Sequence, residues 1–200
     1  MNTNPWKVKA ALQGSDNIYP QFLTESSSPV AYITDVCRFG ETEFVKSVVP
    51  SPEGYPSFKA NRYRIKSEVL ASTKKVTGNS IYFQDVIDGA MNMTSVQQAP
   101  VYLTKLNLEG VDPTFTSKVQ IQTSDGKTPS FNPDSDDLFL DIEPTTGVPT
   151  KINFELLTSV GFEFDTLFNS MPNVKQDSPI LIPIMQLRRN MDTLSDLQIK

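Results

Sequence analysis

Lys151-Ile152-Asn153-Phe154-Glu155-Leu156 alternates polar and apolar residues without a break. A period of two is the side-chain repeat of an extended strand. It puts Ile152, Phe154 and Leu156 on one buried face and Lys151, Asn153 and Glu155 on the other. Working outward, Tyr63-Arg64-Ile65-Lys66 and Lys118-Val119-Gln120-Ile121-Gln122 carry the same rhythm. Less regular strands are expected at 6–12, 30–36, 43–49, 80–83, 101–108, 138–142 and 180–187. Turn-forming clusters separate them: Ser26-Ser27-Ser28-Pro29, Pro50 to Pro56, Ser124-Asp125-Gly126-Lys127 and Pro144-Thr145-Thr146-Gly147. Many short strands at this spacing predict a mainly β fold, a single antiparallel β-sandwich or barrel of jelly-roll-like character with one or two short helices.

Helix signals are few. Residues 84–93 place Val86, Ile87 and Ala90 at helical spacing, although Gly89 weakens the segment. Residues 162–171 read equally as strand or helical turn. At the C-terminus, residues 190–200 put Met191, Leu194, Leu197 and Ile199 on one stripe and predict an amphipathic helix that needs a surface to lie on. The whole chain, 1–200, is expected to form one domain with an N-terminal arm at about 1–9 and a proline-rich loop at 50–56.

The 200 residues contain no histidine, and Cys37 is the only cysteine. Serine triads, cysteine–histidine dyads and histidine-bearing zinc sites are therefore excluded within the chain. A single cysteine forms no intrachain disulfide, and beside Arg38 it reads as a buried, inert thiol. The net charge of −5 is not offset by a Lys/Arg run, so no nucleic-acid surface is expected. Lys59, Arg62, Arg64 and Lys66 read as the wet face of a strand. The isolated glycines form neither a phosphate loop nor a dinucleotide fingerprint. Residues 1–7 lack the pattern of a secretory leader, and the longest apolar run, residues 180–185, is short and broken by Pro183. These features predict synthesis in a cytoplasm, with no membrane contact. Asn92-Met93-Thr94 matches a glycosylation sequon, which without a leader reads as chance.

One local pattern suggests a metal. Asn132, Asp134 and Asp136 fall at positions one, three and five of a calcium loop, with Glu143 at position twelve. Calcium collects hard oxygens, and alternate positions of a tight loop can converge on one point. Against it, Asp137 replaces the turn glycine, and the competing reading is an acidic hairpin loop that keeps a sheet edge soluble. No other cofactor is expected. A two-carboxylate hydrolase could draw on Asp141, Glu143, Glu155 and Glu163, but each reads as solvent-facing on its strand.

No catalytic set remains, so the chain is expected not to be an enzyme. In general character it resembles small virion components of phages and other viruses: capsid, cement, tail or spike parts. That resemblance implies a structural subunit ending in an assembled particle, with other protein subunits as homo- or hetero-oligomeric partners. Trp6, Tyr55, Met191, Leu194 and Leu197 would be the apolar anchors that grip neighbours. The alternative is a carbohydrate- or receptor-binding β module, calcium-assisted if the acidic loop binds the ion.

Overall fold

A computed structural model of the chain describes residues 18–33, 38–48, 59–81, 87–117, 119–162 and 180–192. Its strands are β1 (Val30–Ile33), β2 (Arg38–Val48), β3 (Ala60–Ile65), β4 (Ala90–Asn92), β5 (Val101–Lys105), β6 (Phe139–Ile142), β7 (Pro149–Phe162) and β8 (Ile180–Asp192). They form one open sheet in the order β1-β2-β3-β6-β7-β5-β4, with β8 also pairing β7. The registered ladders are all antiparallel. The mainly β, antiparallel expectation is borne out, and among the described residues α-helix is confined to the single turns α1 (Thr94–Gln97) and α2 (Pro113–Thr116).

The quoted alternation is the first half of β7, with Ile152, Phe154 and Leu156 buried as expected. Four expected elements differ. Ser80 and Ile81, from the strand expected at 80–83, lie in the 3-10 turn Thr77–Ile81, and Ala90–Asn92, from the helix expected at 84–93, form β4. Residues 119–122 form no strand; the chain instead closes a turn in which Thr123 N donates to Lys127 O at 2.8 Å. Alternation without a neighbouring edge to pair with does not make a strand. The C-terminal helix expected from residue 190 is corrected at its start, since Asn190–Asp192 complete β8. Residues 193–200 lie outside the described residues, as do the expected arm at 1–9 and the loop at 50–56.

The described residues cluster into two compact units. The first draws on Met1–Val69, Asp137–Glu155 and Arg188–Lys200. Its core gathers Ile33, Tyr63, Ile65, Leu140, Ile142, Ile152 and Phe154. Register explains the grouping: Tyr63 faces Leu140 across β3–β6, and Leu140 faces Ile152 across β6–β7. The Tyr63 hydroxyl donates to Thr24 O at 2.9 Å, and Tyr19 N donates to Gly147 O at 2.8 Å, fastening residues 19–24 to the same unit. Gly147 has φ +75°, and a Cβ there would meet Tyr19 O at 2.2 Å, so any other residue is strained and must displace Tyr19.

The second unit draws on Leu70–Asp136 and Leu156–Leu187. Its core comprises Ile87, Ala90, Tyr102, Leu108, Val111, Phe115 and Leu181. Asp88 organises the connections. Its carboxylate accepts from Ser72 N at 3.0 Å and pairs with Lys75, while its carbonyl accepts from Asp112 N at 3.0 Å. Asp112 in turn caps α2 by accepting from Thr114 N at 2.8 Å, with Pro113 at the first helical position.

Candidate functional site

The second face of the first unit's strands carries the charges. Arg62 faces Asp141 across β3–β6, and Asp141 faces Lys151 across β6–β7. On the same face Arg64 opposes Phe139, which opposes Asn153. The Arg62 guanidinium grips Asp141 with both arms, Nε to Oδ1 at 2.7 Å and Nη2 to Oδ2 at 2.8 Å, and lies 3.8 Å from the centroid of the Phe139 ring. Arg64 Nε reaches Asp137 Oδ2 at 2.8 Å. Asn153 donates to the Asp137 carbonyl at 2.8 Å. On β7 and β8, Glu155 receives Arg188 Nε at 2.9 Å and the Asn190 amide at 3.2 Å.

Four residues of this face are buried although Lys151 on it is exposed. Arg62 is 9 % exposed, Asp141 4 %, Asn153 3 % and Glu155 4 %. The expectation of a wet basic strand face is therefore corrected for Arg62, and that of solvent-facing carboxylates for Asp141 and Glu155. A fork of two parallel hydrogen bonds over an aromatic ring is the geometry arginine offers and lysine does not. Each of the three carboxylates sits against its own arginine, which is the arrangement of structural ion pairs. It is not that of an acid and a base sharing one substrate.

The proposed calcium residues take local roles. Asn132 Oδ1 accepts from Asp134 N at 3.1 Å, and Asp136 Oδ2 accepts from Asn132 N at 2.8 Å, forming one exposed turn. Glu143 binds its own loop: Oε1 accepts from Thr145 N at 3.0 Å, and Oε2 from Thr146 N at 2.7 Å and Thr146 Oγ1 at 2.6 Å. Burial pushes the Glu143 carboxyl upward, but these hydrogen bonds outweigh it and hold it below the usual glutamate value. Among the described residues no cluster of three or more His, Cys, Asp or Glu side chains is set to hold a metal. Of the proposed anchors, Met191 is placed by its backbone in β8, while Trp6, Tyr55, Leu194 and Leu197 lie outside the described residues, as does Cys37.

A cleft in the second unit went unnoticed in the sequence. It has a volume of about 470 Å³ and is lined by Asn107, Leu108, Thr116, Ser117, Val119, Gln120, Ile121, Thr128 and Pro129. Its size falls within the range of small-molecule sites. Apolar Leu108, Val119, Ile121 and Pro129 alternate with hydroxyl and amide groups, which suits a small molecule that has both apolar and hydrogen-bonding parts. The failed strand at 119–122 supplies much of this lining. Its alternation was the available signal, and it was consistent with a ladder as much as with a cleft wall.

Comparison with known proteins places these features in a family. Residues 2–199 match the CD36 family. Sensory neuron membrane protein 2 of Anopheles gambiae is 29 % identical over 151 residues, 69 % of this chain and 24 % of that protein. Its Aedes aegypti counterpart is 27 % identical over 143 residues, 66 % of this chain and 24 % of that protein. Scavenger receptor class B member 1 of Bos taurus is 25 % identical over 172 residues, 86 % of this chain and 31 % of that protein. The chain thus spans a minor part of the length of these relatives. The matches overturn the expected virion subunit, together with its cytoplasmic address and its membrane-free partners. The physical reason is that composition and apolar run length describe these 200 residues alone, and virion parts and membrane-associated receptors share such a composition. Among the described residues no helix is long and apolar enough to cross a membrane. With the match running from residue 2 to residue 199, the chain belongs to the CD36 family.

Proposed function

We propose that this chain forms part of the non-catalytic, ligand-facing body of a membrane receptor, held outside the bilayer. The observation that carries the reading is the family match along the chain, to relatives named as a sensory neuron membrane protein and a scavenger receptor. The geometry supports it in two ways. Asp141, Glu155 and Asp137 are each bound to an arginine, so the sheet is a braced scaffold. The cleft beside Leu108 and Ile121 offers a ligand an apolar wall with hydrogen-bonding groups along it.

The test is topological. An epitope tag placed in the exposed turn at Ser124–Lys127, in protein expressed from its whole coding sequence, should be labelled on intact cells. The protein should also stay with the membrane pellet through an alkaline carbonate wash. Labelling only after permeabilisation, with release into the wash, would overturn the reading.

A further inference from the structure

We propose that Asn92 is an N-glycosylation site. Asn92-Met93-Thr94 is the sole Asn-X-Ser/Thr triplet in the 200 residues, with a permitted middle residue and the threonine hydroxyl in third place. The proposal rests on the receptor reading above, because only a segment in the secretory lumen meets the transferase.

The fold provides room for the modification. Asn92 ends β4, the terminal strand in the sheet order, where it faces Tyr102 of β5. Its chain neighbours point into the core: Met91 is 1 % and Met93 4 % exposed, whereas Asn92 is partly exposed. Thr94, Ser95, Gln97 and Gln98 beyond it are exposed around α1. Asn92 Oδ1 accepts from Thr94 N at 2.9 Å, so the two sequon side chains belong to one turn at the surface.

The chemistry is a group transfer from a polyprenyl-pyrophosphate-linked oligosaccharide. A bond forms between Asn92 Nδ2 and the anomeric carbon of the sugar, and the bond from that carbon to the pyrophosphate oxygen breaks. The lipid pyrophosphate leaves with the electron pair, and the amide loses one N–H proton.

The protein is expressed from its whole coding sequence in cultured animal cells and treated with peptide N-glycosidase. Asn92→Gln and Thr94→Ala should each remove one mobility increment from the untreated protein, while Thr94→Ser retains it. Peptide mass spectrometry should find position 92 of the wild type read as aspartate after enzymatic release, which holds even if a variant folds poorly. Gly126→Asn is the internal control. It completes a sequon with Lys127 and Thr128 in an exposed turn, where a Cβ meets nothing within 4 Å and φ is +79°, a conformation asparagine tolerates. An added increment in Gly126→Asn with no glycan at Asn92 would overturn this site and leave the receptor reading standing. No increment at either position would overturn both.

Discussion

Arg62 and Asp141 meet from positions 79 residues apart and bury most of their surface in doing so. Removing one partner strands the other charge, so Arg62→Ala is expected to cost about 3–5 kcal/mol in urea unfolding. Replacing both, as Arg62→Met with Asp141→Leu, should cost far less than the single change. A single-variant cost under about 1 kcal/mol, the range of exposed pairs, would show that the face is wet after all. Two other carboxylates set an acid limit. Burial pushes Asp88 up, but Lys75 and Ser72 N together hold it below its ordinary value of 3.8, and Glu143 is likewise held below 4.5. A depressed carboxyl contributes stability that is fully present above the unfolded value and is lost as pH falls through the folded one. The midpoint of thermal unfolding should therefore decline below about pH 4.5, and Asp88→Asn with Glu143→Gln should flatten that decline. A profile unchanged by the two substitutions would sink the assignment. None of these pairings was legible in the residues alone. Period-two spacing marks Arg62, Asp141 and Glu155 as sharing a face opposite the core, yet it is silent on whether that face is covered.

At the level of elements, β3, β6, β7 and β8 could be read from alternation and apolar runs because each side chain's face follows from parity. The segment 119–122 and the tail from 190 could not. Both patterns are compatible with more than one backbone, and the choice is made by which edge lies alongside. The loop between β6 and β7 gives a sharp test of local demand. Gly147 and Gly126 share the left-handed backbone, with φ +75° and +79°, but only Gly147 has a carbonyl oxygen where a Cβ would stand. Gly126→Ala should cost about 1–3 kcal/mol from backbone strain alone. Gly147→Ala should cost clearly more, because Tyr19 must also move. Equal unfolding midpoints for the two variants would show that residues 19–20 do not pack on this loop.

For the molecule as a whole, composition left the setting open, since a charge of −5 and the lack of a long apolar run suit part of a membrane receptor as well as a particle subunit. The candidate cleft was equally hidden, being assembled from residues 107–129 by loops that carry no motif. Ile182, Ile184 and Met185 on β8 are 43 %, 60 % and 52 % exposed. A strand with apolar side chains in water invites association. The purified 200-residue chain should show concentration-dependent mass by light scattering, and Ile184→Asp should reduce it; an unaffected mass would clear β8 of responsibility. The 79-residue separation of Arg62 from Asp141 also governs the order of events during synthesis. At roughly 5–20 residues per second, β3 leaves the ribosome about 4–16 s before the strand that neutralises it. Throughout that wait its two guanidinium groups have no carboxylate from β6 or its approach. Slowing elongation between codons 66 and 137 should therefore lengthen the exposure of β3 to chaperones and lower the yield of folded protein.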